Sequence, residues 1–189
     1  ITKWDFAMYN SIALGPGIET INGYNYYLGL KLSSSGVSEN NYYLLLSKDG
    51  TIDVPVKSGD IVFVSYTSSA AFKFNNVVTT SVDVNLGSTN QIKTATYIAQ
   101  SDGYVTLTGI AGNNASQTYL TSIRVYTPVP YKETITVGPK DCDYTSISDA
   151  LDAVRAMYRP NNERVTIEVQ PGNYEEMLVV DVPNVTIKN

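Results

Sequence analysis

Short runs of alternating apolar and polar residues, separated by turn-forming residues, make up the chain as far as residue 126. A period of two is typical of strands that bury one face, because successive side chains of a strand point to opposite sides. In the Ala-Phe-Lys-Phe run at 71–74, we expect Phe72 and Phe74 to face the core and Lys73 to face solvent. The pattern predicts nine strands: Tyr26–Leu32, Tyr42–Ser47, Ile52–Val56, Ile61–Ser65, Ala71–Phe74, Val82–Asn85, Lys93–Ala99, Tyr104–Thr108 and Leu120–Tyr126.

Turn-forming residues fall between these predicted strands, and no amphipathic period of 3.6 residues interrupts them. The turn signals are Ser35-Gly36, Asp49-Gly50, Ser58-Gly59-Asp60, Asn75-Asn76, Asp102-Gly103 and Asn113-Asn114. Many short strands at this spacing are typical of antiparallel all-β domains. Residues 1–126 are therefore predicted to form a β-sandwich, with a jelly roll as the favoured topology.

The pattern changes after residue 126. The run Thr127-Pro128-Val129-Pro130 predicts a linker, extending over 127–133, because proline fixes its own φ and disfavours helix at the preceding residue. An amphipathic helix is predicted over Thr145–Tyr158, with Ser146 as its N-cap and Arg159-Pro160 as its end. Two alternating strands follow, at Val165–Val169 and Val185–Ile187.

The amino-acid composition excludes several kinds of catalytic and metal site. With 189 residues, 43% of them hydrophobic, the chain can bury a substantial core. It contains no histidine, which excludes Ser-His-Asp and Cys-His catalysis and imidazole metal sites. One cysteine, Cys142, forms no internal disulfide, and a small buried apolar role is the favoured interpretation. No apolar run approaches the roughly 20 residues that span a bilayer.

The distribution of charge argues against two classes of partner. Formal net charge is −5, and no run of Lys or Arg is present, so we expect neither nucleic acid nor a membrane surface as partner. Through residue 130, however, seven basic residues nearly balance eight acidic ones. A local positive patch in this part of the chain is therefore compatible with the composition.

Residues from 135 onward resemble the start of the catalytic domain of pectin methylesterases, a right-handed parallel β-helix. The resemblance is carried by Ile135-Thr-Val-Gly138, Asp143-Tyr-Thr-Ser-Ile-Ser-Asp-Ala-Leu151, Val165-Thr-Ile, Gln170-Pro-Gly-Asn-Tyr174-Glu175 and Asn184-Val-Thr-Ile187. It implies that 134–189 form the truncated first coils of that β-helix, with the helix capping its open end. The family's catalytic residues lie on later coils and have no counterpart here, so we expect no catalytic residue and no enzymatic activity in this fragment of a pectinesterase.

Residues 1–126 are similar to β-sandwich modules attached to bacterial pectate lyases and pectinesterases, some of which bind pectin. The similar stretches are Tyr27-Leu-Gly-Leu-Lys31-Leu-Ser-Ser-Ser-Gly36, Ile52-Asp-Val-Pro-Val-Lys57-Ser-Gly59-Asp-Ile, Ser101-Asp-Gly-Tyr104 and Tyr119-Leu-Thr-Ser-Ile-Arg-Val125. The similarity implies a non-catalytic carbohydrate-binding module that targets a secreted, extracellular pectinesterase to plant cell-wall homogalacturonan. The chain begins Ile1-Thr2-Lys3 without an initiator Met, so we expect the natural start and any signal peptide to lie outside it.

Candidate ligand-binding residues follow from sugar chemistry. Aromatic faces stack on sugar rings, and a uronate carboxylate favours a nearby ammonium. The candidates are Lys31, Lys73, Lys93, Tyr27, Tyr43 and Tyr104. For each of them, packing within a sheet or a solvated sheet face is the competing interpretation.

Three further expectations concern metal, partner and function. Asp49, Asp53 and Asp60 are candidate ligands of a structural calcium, although hairpin turns explain two of them equally well; no other cofactor is expected. An open lower β-helix coil predicts a cover, either a second copy in a homodimer or the sandwich folding back. An adhesin-like or spacer sandwich without sugar affinity, or a module of a pectate lyase-like enzyme, remains an alternative function.

Overall fold

The structure is a computed structural model, which describes residues 1–6, 18–39, 43–67, 71–79, 82–84, 92–110 and 117–189. The chain divides into two compact units, Ile1–Tyr126 and Thr127–Asn189. The first contains antiparallel sheets, and the second contains a small parallel sheet with one helix. The all-β prediction is confirmed for the described residues.

Among the described residues, seven strands form the first sheet of the first unit. They are β1 (Thr2–Asp5), β5 (Val37–Glu39), β6 (Leu44–Ser47), β8 (Ile61–Thr67), β11 (Val82–Val84), β12 (Ile92–Ile98) and β14 (Gln117–Tyr126). The order is β11-β12-β8-β14-β6-β5, and every pairing is antiparallel. The long strand β14 pairs with β6 along its first half and with β1 along its second half.

The second sheet also contains seven strands within the part of the chain that the structure describes. They are β2 (Glu19–Ile21), β3 (Tyr24–Tyr27), β4 (Leu30–Leu32), β7 (Thr51–Val56), β9 (Ala71–Phe74), β10 (Val77–Val78) and β13 (Gly103–Ile110). Their order is β10-β9-β13-β7-β4-β3-β2, again antiparallel throughout.

The two sheets share one hydrophobic core. Leu44 and Leu120 of the first sheet and Leu30, Ile52 and Leu107 of the second belong to the same buried cluster, each at most 1% exposed. Two layers that bury one apolar face each are the arrangement predicted by the period-two pattern. Phe72 and Phe74 lie in this core while Lys73 between them does not, as the alternation predicts.

The predicted strand Tyr26–Leu32 is wrong, because the chain reverses in its middle. Tyr24–Tyr27 and Leu30–Leu32 are the two arms of a hairpin, with Tyr27 opposite Leu30. Leu28 and Gly29 between them have φ of 48° and 87°, the left-handed backbone of a two-residue hairpin turn. Leu-Gly is a weak turn signal because leucine rarely adopts positive φ, so the sequence does not predict this turn.

Of the remaining predicted strands of the first unit, Ala71–Phe74 is confirmed with its bounds, and the others are confirmed with shifts of one to three residues at their ends. Strands β1, β2, β5 and β10, which have two to four residues each, were not predicted. Tyr42, Asn85 and the turn signal Asn113-Asn114 lie outside the described residues.

A three-stranded parallel sheet and one helix make up the second unit. The strands are β15 (Thr134–Val137), β16 (Val165–Val169) and β17 (Val185–Lys188), and the helix is α1 (Ile147–Ala156). Like residues stack in register, with Ile135 beside Ile167 and Ile167 beside Ile187. Ile135, Ile167 and the buried face of α1 belong to one separate core.

Helix α1 is confirmed but is shorter than predicted. Ser146 is its N-cap, and the Ser146 side chain accepts a hydrogen bond from the backbone N–H of Asp149. The helix ends before Arg159-Pro160, because Met157 already has extended backbone (φ −76°, ψ 136°). Within the part of the chain that the structure describes, no helix is long and apolar enough to cross a membrane.

The proline-containing segment after residue 126 is bonded to the second unit. The backbone N–H of Val129 donates to the carbonyl of Ala156 (3.0 Å), and Val129 forms an isolated parallel bridge with Met157. The hydroxyl of Tyr131 donates to the carbonyl of Arg164 (2.8 Å). Part of the segment 127–133 is thus held against the elements that follow it.

Candidate functional site

The outer face of the second sheet, opposite the core, gathers polar and aromatic side chains from five neighbouring strands. We call this set the polar face. Its members are Tyr24, Tyr26, Lys31, Ser33, Thr51, Asp53, Lys73, Tyr104, Thr106 and Thr108. On β4, β7, β9 and β13 these residues alternate with buried apolar ones, so the same pattern that builds the core also builds the face. On β3 the half-buried Asn25 lies between Tyr24 and Tyr26.

Cross-strand pairing arranges the polar face in two rows. In the first row, Tyr26 of β3 lies beside Lys31 of β4, which lies beside Asp53 of β7, which lies beside Thr106 of β13. The Cβ atoms of directly opposed residues in a sheet are about 5 Å apart, so the members of this row are close neighbours. Glu19 of β2 extends this row beyond Tyr26.

The second row lies two residues along the strands from the first. Ser33 follows β4, and its Oγ accepts a hydrogen bond from the backbone N–H of Thr51 (2.8 Å). Thr51 pairs with Thr108 of β13, and Thr108 pairs with Lys73 of β9. Hydroxyl groups therefore run across three strands and end at an ammonium.

A depression of about 420 Å³ lies on the polar face around β4. Its wall is formed by Tyr24, Asn25, Lys31, Ser33, Thr51 and Asp53, together with Gly23, Leu32 and Ser34. The volume falls within the range of roughly 300–1,000 Å³ typical of small-ligand sites. A cation, a carboxylate, hydroxyls, an amide and an aromatic ring therefore surround one space, a set that can hydrogen-bond a polyhydroxylated ligand.

The two charged groups in the depression have different partners. The ammonium of Lys31 lies 4.1 Å from the ring centroid of Tyr24, a cation–π contact. Oδ1 of Asp53 accepts a hydrogen bond from the hydroxyl of Thr106 (2.7 Å). Although Lys31 and Asp53 are cross-strand partners, the ammonium therefore lies over an aromatic face that is 53% exposed.

Three of the six predicted ligand-binding residues come together on the polar face. Lys31 and Lys73 each belong to one of its rows. Tyr104 lies two residues before Thr106 on β13, opposite Pro55, and is 62% exposed. Its predicted position on an outer face is confirmed.

The other three predicted residues lie elsewhere. Tyr27 is 5% exposed and packs edge-on against Phe6 in the core, so its assignment as a ligand contact is corrected. Lys93 of β12 is opposite Tyr66, whose side chain is buried in the core, so Lys93 lies on the core side of the first sheet and is not part of the polar face. Tyr43 precedes β6 of the first sheet, where its ring lies 5.6 Å from that of Tyr119.

The three candidate calcium ligands do not converge. Asp49 has φ of 62° in the turn before β7, Asp53 lies in the middle of β7, and Asp60 lies beyond its end. Oδ2 of Asp60 accepts the backbone N–H of Lys57 (2.8 Å), which closes a turn. Among the described residues, no group of three acidic or sulfur side chains forms a metal site, so the hypothesised set is corrected to turn and sheet roles.

Sequence reasoning missed Tyr24, Thr51 and Thr106 as members of the candidate site. The alternation in Thr51-Ile52-Asp53-Val54 does assign Thr51 and Asp53 to a solvent-facing side. The alternation does not show which strands are neighbours in the sheet. The hairpin turn at 28–29, which was not predicted, brings Tyr24 close to Lys31. The pairing of β3, β4 and β7 supplies the missing information.

Ionisable groups also cluster in the second unit, where they are engaged by the fold. The carboxylate of Glu176 accepts hydrogen bonds from the hydroxyl of Ser146 (2.9 Å) and from the backbone N–H groups of Ile147 (3.0 Å) and Ser148 (2.8 Å) at the start of α1. Burial alone would raise the pKa of Glu176, but these hydrogen bonds lower it to about 2. These contacts hold the segment of Glu176 on the helix N-terminus.

Two further groups in this unit have structural partners. Hydrogen bonds from the ammonium of Lys132, the backbone N–H of Thr136 and the hydroxyl of Thr136 lower the pKa of Asp143 to about 2. The guanidinium of Arg155 donates to Oδ1 of Asp181 (2.6 and 2.9 Å), and both side chains are at most 5% exposed. These contacts fix the second unit, and they do not pair a nucleophile with a base.

No protein-family model, curated protein or solved structure matches the chain.

Proposed function

We propose that residues 1–126 form a non-catalytic carbohydrate-binding module for plant cell-wall pectin, with homogalacturonan as its ligand. The observation that carries the proposal is the depression on the polar face, where the ammonium of Lys31 and the hydroxyls of Ser33 and Thr51 surround one space beside an exposed tyrosine ring. Ammonium groups pair with carboxylates, and hydroxyl and amide groups match the hydrogen-bonding groups of sugars. The ligand is therefore an acidic polysaccharide.

The sheet pairing also supports this proposal. Lys31, Lys73 and Tyr104 are three separate ligand-binding candidates of the sequence, and they share one face of the second sheet. The face is built on strands whose alternate residues form the core, which gives the ligand groups a rigid support. Such a scaffold suits a β-sandwich module with jelly-roll topology, attached to a secreted enzyme.

The second unit is proposed to be the beginning of a right-handed parallel β-helix of a pectinesterase, without catalytic residues in this chain. Its in-register parallel strands, with Ile135, Ile167 and Ile187 side by side and one helix packed on the same core, support that assignment. The module would then hold the enzyme on its extracellular substrate. A homodimer through this sheet stays a prediction.

Binding to a panel of polysaccharides tests the proposed function. Isothermal titration calorimetry against pectin of low and high methyl esterification, xylan and cellulose should give the strongest binding for pectin of low esterification. The affinity should fall as salt rises, because exposed charge pairs are screened over about 10 Å at 0.1 M. Lys31→Ala should weaken binding, whereas Lys57→Ala, which removes an exposed charge beyond the end of β7, is the matched control.

Two other outcomes would contradict the proposal in different ways. Absence of binding to every polysaccharide of the panel would favour the adhesin-like or spacer alternative. Release of methanol from methylated pectin above a boiled control would contradict the assignment of this chain as non-catalytic. Equal binding to xylan and pectin, unaffected by salt, would contradict an acidic ligand while keeping a carbohydrate-binding role.

A further inference from the structure

The polar face carries its two lysines at a defined separation. Lys31 lies on β4 and Lys73 on β9, with β7 and β13 between them. Strands in a sheet are about 4.8 Å apart, so three intervals place the two backbone positions about 14 Å apart across the sheet. Both side chains alternate with core residues and therefore point to the same side.

The second row presents hydroxyl groups on the surface between the lysines. The second row of the face runs from Ser33 through Thr51 and Thr108 to Lys73, and it contains no carboxylate. Lys31 lies beside the start of this row, because it shares the depression with Ser33 and Thr51. The first row, in contrast, contains the carboxylates of Asp53 and Glu19.

We propose that an acidic oligosaccharide binds this face as an extended chain laid across the strands along the second row, an inference that rests on the proposed function above. One carboxylate lies at Lys31 and another at Lys73, and the sugar hydroxyls between them exchange hydrogen bonds with Thr51 and Thr108. The Ser33 hydroxyl, which already donates to the carbonyl of Ser35, accepts from a sugar hydroxyl. The site thus recognises an internal stretch of polymer that is long enough to reach both lysines.

Charge selects this direction over a path along the strands. A chain following β7 would pass Thr51, Asp53 and Pro55, and the carboxylate of Asp53 would repel an acidic ligand at the centre of that path. A path along the first row meets the same carboxylate. The second row offers a cation near each end and neutral hydrogen-bonding groups between, which matches a polymer whose charges repeat at intervals.

The dependence of affinity on ligand length tests the inference. Oligogalacturonates of two to ten units, with free carboxylates, are titrated into the whole chain by calorimetry. The affinity should rise with length until the oligomer reaches both lysines and should then level off. Lys73→Ala should lower the affinity of the long oligomers about 2- to 5-fold, as expected for one exposed charge pair, and leave that of the two-unit oligomer unchanged.

Variants and ligands supply the controls. Lys31→Ala should weaken binding of short and long oligomers alike, while Lys57→Ala should change neither. Lys73→Arg should restore long-chain binding, since it keeps the charge, and fully methyl-esterified oligomers should show no dependence on Lys73. Emission of Trp4, the single tryptophan, which is buried in the core, verifies that each variant is folded.

The failures are distinguishable. If Lys73→Ala lowers the affinity for two-unit and ten-unit oligomers equally, or changes neither affinity, the proposed path across the strands is wrong while the proposed function stands. If no oligogalacturonate and no pectin binds, the proposed function fails and this inference fails with it.

Discussion

The two units of the chain use their charged residues differently. In the first unit, two sheets enclose a core of apolar side chains, and the lysines of the polar face stand outside it. In the second unit, a smaller core is accompanied by charged groups that bind backbone and helix ends, such as Glu176 and the buried pair of Arg155 with Asp181. The lysines of the polar face therefore lie on the outer surface of a sheet, whereas these charged groups of the second unit stabilise its fold.

This difference decides which charged groups are candidates for function. A strongly lowered pKa often marks an active site, yet structural ion pairs and helix caps produce the same shift. The two carboxyl groups held at a pKa of about 2, Asp143 and Glu176, both accept backbone N–H groups of the second unit. The lysines of the polar face, in contrast, lie where a ligand can reach them, so we propose that recognition belongs to the first unit.

The largest expected effect comes from breaking the buried ion pair of the second unit. Asp181→Ala leaves the guanidinium of Arg155 buried with one carboxylate, that of Asp152 at 2.8 Å. Removing one partner of a buried pair costs roughly 3–5 kcal/mol, and we expect about 3 kcal/mol because Asp152 remains. Hydrogen exchange of α1 and β16, measured by NMR, should report this loss.

A matched substitution in the first unit should give the complementary result. Leu107 is fully buried in the sandwich core, and Leu107→Ala should destabilise that unit by about 2–5 kcal/mol. In the Leu107→Ala variant, hydrogen exchange should accelerate in β13 and β7, with little change in α1. Equal acceleration in both units for either variant would contradict separate stabilisation of the two units.

The next effect depends on pH. The pKa of Glu176 is about 2 in the folded chain against an ordinary 4.5, so the folded state favours the charged form. Its contribution to stability is therefore complete above pH 4.5 and is lost as the pH falls towards 2. Glu176→Gln should lower the free energy of unfolding of the second unit at neutral pH by about 0.5–2 kcal/mol, the range for loss of a helix cap.

The pH profile separates this prediction from a general loss of packing. The wild-type second unit should lose stability between pH 4.5 and 2, and Glu176→Gln should show a shallower slope over the same interval. Some slope should remain, because the pKa of Asp143 is lowered from 3.8 to about 2 by its own hydrogen bonds. Parallel profiles for the two proteins would contradict the role of the Glu176 carboxylate.

The sequence predicted local structure well and pairing poorly. Alternation located most strands of the sandwich and assigned Phe72 and Lys73 to opposite sides, because that assignment depends only on neighbouring residues. Alternation assigned no role to Tyr24, and it did not show that Lys93 lies on the core side of its sheet. Which side of a strand faces the core depends on the strands that pair with it. Glu176, which caps the helix, is 30 residues from Ser146 in the sequence, so no local pattern predicts this contact.

A smaller effect concerns the carboxylate on the polar face. Asp53→Asn removes a negative charge next to Lys31 and keeps an oxygen that accepts the hydroxyl of Thr106. Binding of oligogalacturonate should therefore strengthen, by about 2- to 5-fold at low salt, and the gain should shrink at high salt. Calorimetry at two salt concentrations measures both. Weaker binding would instead show that Asp53 contacts the ligand directly.

Two hairpin turns of the second sheet offer a comparison within one unit. Asn22-Gly23 connects β2 to β3, and Leu28-Gly29 connects β3 to β4, each with positive φ at both residues. Asn-Gly is the preferred pair for this turn because asparagine tolerates left-handed backbone. Leucine has no such tolerance, and 46% of Leu28 is exposed to solvent, so packing recovers little of the cost.

The smallest expected effect follows from that contrast, since Leu28→Asn should stabilise the first unit. Left-handed backbone costs an ordinary L-residue roughly 1–2 kcal/mol, and we expect asparagine to recover about 0.5 kcal/mol of it. The substitution leaves the backbone carbonyl of Leu28 in place to accept the indole N–H of Trp4 (2.9 Å), so Trp4 emission remains a valid probe of unfolding by urea. Asn22→Leu is the reverse experiment and should destabilise the same unit by a similar amount. A loss of stability in Leu28→Asn would mean that the leucine side chain contributes packing that outweighs its backbone cost.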